Sequence, residues 1–501
     1  MRKILLAGVA MFSGAVVSAH AQQAPANQSQ GQLAAPYAAG PNPMNNNNSW
    51  GIANTPSGST AAGALSTMWA PNANAVPAPG TIVIRLNGRV ETDVSANFTT
   101  ADKGLTAAGT PNGFKLNPVG VGSYVRLYPA FDGVASNGLR YGASVELREN
   151  FYNATNTGSG TTTSSSGANI SAETIFVRRA FTYVANDEVG LVRIGQTDGV
   201  MGLFDNCIFT AQCWDAGSGV LNGGAMQQEA PSGPAGIPWV WLSQSAAEIG
   251  NSKIVYLSPQ VYGFDLGVQY APTMGNTFAN AVGSSPIQAT SCNAAGANCI
   301  NVSSGNDSTR WLNQVAVGLR YQHTYGAVDV KFYGLYETAG KEDLTTGAYV
   351  APSPTASATA LRYDNLSFYK AGTAITAYNV TASVDYIGGN VNGALGMRPE
   401  GGAQMNAVLA GLTYANGPLT LGVSAGVINS QGAAQLAGLS QRHEEELAVG
   451  GNYRFAPGLQ AVLEYQYAQR HQGDYDFNTG TIGSTVDARA QGVMLATVLT
   501  W

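Results

Sequence analysis

The sequence predicts an all-β fold, a transmembrane β-barrel of sixteen antiparallel strands, and three observations carry that prediction. Segments of about ten residues with alternating apolar and polar side chains recur from residue 81 to the end, as in strands with one face to lipid and one to water. Short connections alternate with long ones along the whole of that stretch. The chain also ends inside such a segment on an aromatic residue, Trp501, where a closing strand would meet the bilayer interface.

Composition agrees. Of 501 residues 62 are Gly and 23 are Tyr, only 11% are charged, and mean hydropathy is −0.03; one large β structure fits this better than several soluble domains. Residues 1–21 read as a secretory signal peptide: Met1-Arg2-Lys3, an apolar run from Ile4 to Val17, then Ala19-His20-Ala21 before the expected cleavage at Gln22. No later segment approaches the eighteen or so consecutive apolar residues of a membrane helix, so any membrane role falls to strands. Removing Arg2 and Lys3 from the 24 basic residues leaves 22 against 30 acidic ones, which argues against nucleic acid as a partner. Residues 22–80, rich in Ala, Asn, Gln, Pro and Gly with a run from Asn45 to Asn48, read as a flexible low-complexity periplasmic extension. The barrel domain is expected over 81–501.

The first strand alternates cleanly, with Ile84, Leu86, Val90 and Val94 on one side and Arg85, Asn87, Arg89, Glu91 and Asp93 on the other. Leu139 to Arg148, Phe264 to Tyr270 and Leu459 to Arg470 repeat the pattern. Strands are expected near 81–96, 122–133, 139–152, 173–185, 190–197, 251–258, 263–271, 311–323, 327–338, 374–387, 391–398, 404–414, 418–428, 443–455, 459–470 and 488–501. In the last, Val493, Leu495, Thr497, Leu499 and Trp501 form a lipid face and Gly492, Met494, Ala496, Val498 and Thr500 a small inner face.

The short connections carry Gly, Asn and Pro, as tight turns require, for example Ala135-Ser136-Asn137-Gly138, Tyr325-Gly326, Gly388-Gly389 and Ala415-Asn416-Gly417. Long ones are expected at about 100–120, 153–171, 198–250, 272–309, 339–373, 429–442 and 471–487. An even strand number puts both chain ends on one side of the membrane, with short periplasmic turns and long outer loops around an aqueous lumen. Cys207 lies close to Cys213 and Cys292 close to Cys299, and in an exported chain two local disulfides follow. Metal binding finds no support, because His323, His443 and His471 are scattered without ligand spacing. No cofactor is implied.

Several segments resemble the Gram-negative trimeric general-diffusion porin family, over roughly residues 81–501. Arg178-Arg179-Ala180-Phe181-Thr182-Tyr183 followed by Gly190 to Gln196 is similar to that family's strand pair before the constriction loop. Asn251 to Tyr256 with Gly263 to Pro272 resembles the pair after it, and Ala456 to Tyr467 with the terminal aromatic completes the set. The family ends more often on Phe than on Trp, and Arg179 here falls on the apolar face between Val177 and Phe181. The resemblance implies a homotrimer in the outer membrane of a Gram-negative bacterium, surrounded by lipid and lipopolysaccharide. It implies a water-filled channel for small hydrophilic solutes and ions, a third long loop (198–250) folded into the barrel, and Trp501 as an assembly signal.

That loop contains Asp198, Asp205, Asp215, Glu229 and Glu248 and no Lys or Arg. The wet faces of the neighbouring strands supply Arg85, Arg89, Arg126, Arg140, Arg148, Arg178 and Arg193. Acid on one side and guanidinium on the other would set a transverse field across the narrowest water. The bland alternative is that these arginines pair with Glu91, Asp93 and Glu146 and hydrate the lumen. Gly422-Val423-Ser424-Ala425-Gly426 matches the G-x-S-x-G nucleophile elbow but lies mid-strand, without the strand-to-helix turn that exposes the serine, so a chance match accounts for it. Glu444-Glu445-Glu446 beside His443 reads as a solvated or cation-bound rim. The competing functions are a substrate-selective channel and a barrel-borne hydrolase or adhesin.

Overall fold

The computed structural model describes residues 80–100, 103–105, 111–115, 118–150, 176–186, 188–197, 199–204, 252–273, 311–341, 362–393, 396–432, 439–456, 459–477 and 481–501. The strands in chain order are β1 (Thr81–Thr99), β2 (Lys103–Leu105), β3 (Pro111–Lys115), β4 (Val119–Val134), β5 (Arg140–Asn150), β6 (Phe176–Asn186) and β7 (Gly190–Gln196). A short helix α1 (Val200–Phe204) precedes β8 (Ser252–Leu257), β9 (Phe264–Thr273), β10 (Trp311–Tyr325), β11 (Val328–Lys341), β12 (Leu366–Ala377) and β13 (Val380–Asn390). Then follow β14 (Met405–Asn416), β15 (Leu419–Ser430), β16 (Arg442–Ala456), β17 (Leu459–His471), β18 (Tyr475–Asp476), β19 (Thr481–Ile482) and β20 (Ala488–Thr500). Sixteen of these strands form one closed antiparallel barrel, while β2 with β3 and β18 with β19 make small hairpins outside it. Closure comes from β1, which pairs with β20 on one side and β4 on the other.

The period-2 pattern decides which way each side chain faces. Along β10, Val315, Val317 and Leu319 are exposed, while Gln314, Ala316, Gly318, Arg320 and Gln322 are buried. Apolar outside and polar inside reverses a soluble protein and matches a barrel whose outer face meets lipid. β20 behaves as its sequence reads, with Val493, Leu495 and Leu499 outward and Met494, Ala496 and Val498 buried inward.

Two segments of the sequence reading need correction. The strands expected at 374–387 and 391–398 are instead 366–377 and 380–390, joined by Tyr378–Asn379. Both turn residues have positive φ (49° and 67°), the geometry of a two-residue hairpin turn, although neither is Gly. Gly388–Gly389, read as the turn, lies inside β13: a Cβ on Gly389 would come 2.5 Å from the Ser367 carbonyl oxygen, so glycine there serves close strand approach. In β6 a bulge shifts the register, with Glu146 opposite Arg179 and Leu147 opposite Val177. Phe181 and Tyr183 therefore face inward and Val184 faces out. The inward turn of Tyr183 is favoured by Asp132, which accepts a hydrogen bond from its hydroxyl.

The outer ends of β13 to β17 are tied by amide side chains. Asn392 donates to the Gly432 carbonyl (2.8 Å) and accepts from its N–H (2.8 Å), while Gln472 donates to the carbonyls of Gln431 (2.9 Å) and Ser440 (2.8 Å). Beside them the Arg442 guanidinium lies 4.9 Å from the Phe477 ring centroid, against a small cluster of Tyr475, Phe477 and Ala488.

Candidate functional site

The site is the inner wall of the barrel. After β7 the chain turns inward, and every residue of α1 is buried. The helix packs on β9 and β10. The side chains of Val200 and Phe204 fill the space beside Gly267 and Gly318, which are opposite each other in register. The Val200 N–H donates to Oε1 of Gln269, whose side chain is on the inner face. The first described turn of residues 198–250 thus lies inside the barrel.

One lateral row crosses five strands there: Asp265 on β9 is opposite Arg320 on β10, then Tyr333 on β11, Gly372 on β12 and Asp385 on β13. Arg320 forks onto Asp265, with Nη2 2.9 Å from Oδ2 and Nε 3.1 Å from Oδ1, both side chains fully buried. A planar guanidinium fits a carboxylate this way and offsets much of the desolvation of both charges. The ammonium groups of Lys331 and Lys370 lie 5.7 and 5.6 Å from the Tyr333 ring centroid, and Lys370 Nζ is 4.0 Å from Asp385 Oδ2. Further round the wall, Arg470 pairs with Glu444. Glu446 is buried inward, while Glu445 points out to His443 (3.0 Å) and Gln469 (3.1 Å).

The arginines read from the sequence divide into groups. Arg89 on β1, Arg126 on β4 and Arg148 on β5 form a second row, each opposite the next, and Arg85 pairs with Ala130 further along β1. Arg140 sits at the turn end of β5, opposite Val134 and Ala185. Arg193 is buried inward on β7, its guanidinium 5.4 Å from the Phe181 ring centroid. Arg178 lies at the β6 bulge, and Arg179 holds the position opposite Glu146. Asp198, Asp205, Asp215, Glu229, Glu248 and the cysteines Cys207, Cys213, Cys292 and Cys299 lie outside the described residues, as do the signal peptide and residues 22–79.

The charges named from the sequence lie on the strands next to the acidic loop and do not include Arg320, Lys331, Lys370 and Asp385. Their signal was available: each is a charge in the inward phase of its strand. Strand β11 stands eight positions from β1 around the sixteen-strand ring, so the wall that carries Arg320, Lys331, Lys370 and Asp385 lies across the lumen from β1.

The family model for Gram-negative porins matches residues 58–473. Among solved structures, the outer membrane channel DcaP of Acinetobacter baumannii is 13% identical, covers 85% of this chain and 99% of that one, with a TM-score of 0.47. A trimer form of OmpT, an outer membrane protein of Vibrio cholerae, is 12% identical over 84% of this chain and 100% of that one (TM-score 0.43). A mutant of the Rh. blastica porin gives the same identity, coverage and score. No curated protein sequence matches the chain. With an inward-polar, outward-apolar barrel and a family match over most of its length, the chain belongs to the Gram-negative porins, diffusion channels of the outer membrane.

Proposed function

We propose that the channel passes small hydrophilic solutes and ions passively through a constriction formed where residues 198–250 cross the lumen. The observation that carries this reading is the burial of α1 against the inner faces of β9 and β10, which starts residues 198–250 on the inner wall, six to seven strands round the ring from β1. Acidic loop residues, with Asp205 and Asp215 foremost, face Arg85, Arg126 and Arg178, and their balance gives weak anion preference or near neutrality. Net charge alone would favour cations. Ions at the narrowest water feel charges within about 8 Å, the screening length at physiological salt, so the local balance outweighs the distant one. The functional unit is a homotrimer embedded among lipid and lipopolysaccharide.

No reaction is catalysed. Ser424 of the G-x-S-x-G match lies in the middle of β15, paired with Gly411 and Ala448, in continuous strand rather than at an exposed turn. Reconstitution into a planar bilayer tests the reading. Ohmic, salt-dependent single-channel currents support it; hydrolytic or adhesive activity without conductance overturns it.

A further inference from the structure

Glycine inside a strand is unfavourable unless the space it leaves is used. Gly267 and Gly318 face the lumen side by side on β9 and β10, and α1 uses that space. A Cβ on Gly318 would come 2.9 Å from Val200 Cγ1, 3.1 Å from Phe204 Cδ2 and 3.2 Å from Leu335 Cβ; one on Gly267 would come 2.9 Å from Val200 Cγ1 and 3.0 Å from Phe204 Cζ. Two residues along β10, Arg320 closes the notch from the side. Its guanidinium carbon is 4.6 Å from the Phe204 ring centroid and its Nη1 donates to the Leu203 carbonyl at 3.4 Å, while Asp265 holds its other edge.

We propose that Gly267 and Gly318 form a socket for Val200 and Phe204, with Arg320 as its latch, and that these positioning residues fix where the constriction loop starts and so set the bore of the channel. The inference rests on the porin reading and adds the parts of the wall that hold the loop. Arg320 has a different role from the arginines of β1, β4 and β5. Its charge is spent on Asp265 and on the helix, so it acts on passing ions through the loop's position. The glycines act by what they lack, since any side chain at either position competes with Val200 for one volume.

The test uses the full-length protein with Gly267→Ala and Gly318→Ala combined, then with Val200→Ala added. Heat-modifiable migration reports barrel folding, hydrogen exchange of the 197–204 amides reports docking of α1, and planar-bilayer recording reports bore and selectivity. The double variant should fold, lose amide protection in 197–204 and conduct about twofold more than wild type, as expected when a constriction widens. Adding Val200→Ala should bring protection and conductance back toward wild type, a rescue that general weakening of the strands would not give. If the double variant fails to fold, Phe204→Ala alone, which alters no strand, should give the same loss of protection and rise in conductance. Folded variants with wild-type protection and conductance, or a triple variant without rescue, overturn the socket. A wild-type protein that folds but never conducts overturns the porin reading instead.

Discussion

The indole of Trp501 occupies the space that a side chain at Gly88 would take: a Cβ built on Gly88 would lie 2.0 Å from its Cζ2. The two residues also exchange backbone hydrogen bonds of 3.1 and 3.2 Å, so the last residue of the chain is stitched to the middle of β1. Trp501 stays half-exposed on the outer face, an amphipathic ring at the lipid boundary.

Both partners of that contact should therefore matter. Gly88→Val is expected to lower the yield of heat-modifiable barrel by displacing the indole, with an overpacking cost of about 1–3 kcal/mol. Trp501→Asp should impair assembly further, since it puts a charge at the seam. Normal amounts of folded protein in the outer membrane from both variants would refute the assignment.

The fork of Arg320 on Asp265 predicts that removing one partner costs more than replacing both by apolar side chains. Asp265→Ala leaves a buried guanidinium without its carboxylate and should cost about 3–5 kcal/mol. Asp265→Leu combined with Arg320→Met should cost less than Asp265→Ala alone. Urea unfolding in detergent reads the difference, and equal losses would show that the pair is solvated.

Charge at the constriction predicts shifts in zero-current potential across a salt gradient. Arg126→Ala and Arg178→Ala should move the channel toward cations and Asp215→Asn toward anions. An absence of shift in both sets would remove this cluster from the narrowest water.

The paired cysteines predict two local bridges, Cys207 to Cys213 and Cys292 to Cys299. Peptide mapping of unreduced protein should recover both. Free thiols or cross-pairing would be the contrary result.

The β12–β13 hairpin predicts opposite outcomes at two positions that sequence reading confuses. Tyr378→Asn should be neutral or mildly stabilising, because Asn tolerates the positive φ of 49° better than Tyr does. Gly389→Ala should destabilise, with its φ of 134° and a carbonyl oxygen 2.5 Å from the new Cβ. Thermal shifts of the purified protein in detergent distinguish the two.

That hairpin also shows what the sequence can and cannot say. Strand number and the inward or outward phase of β1, β10 and β20 are written in a period-2 pattern that lipid enforces on each strand separately. Turn positions are less legible, because glycine has two uses: Gly417 has the positive φ of a turn, while Gly389 sits mid-strand for close packing. The β6 bulge left one trace, Arg179 on the apolar face of an unbroken alternation, but two adjacent arginines do not say which one keeps phase with Glu146. The inner wall at Arg320 depends on the register between β9 and β10, which sets Asp265 opposite it, and on the docking of α1 there. Periodicity within one strand carries nothing about that.

The pairing of Arg89 with Thr500 joins nearly the two ends of the described chain, so its loop is among the longest that folding has to close. The hairpins from β4 to β17 each form from neighbouring segments, but the ring gains its last row of hydrogen bonds only when β20 reaches β1. Closure is the pairing of greatest sequence separation in the ring, and its loop costs the most entropy to close. Until then β1 and β20 both present open edges, which hydrocarbon does not tolerate. A chain truncated before Ala488 would stay an open sheet, vulnerable to aggregation and proteolysis.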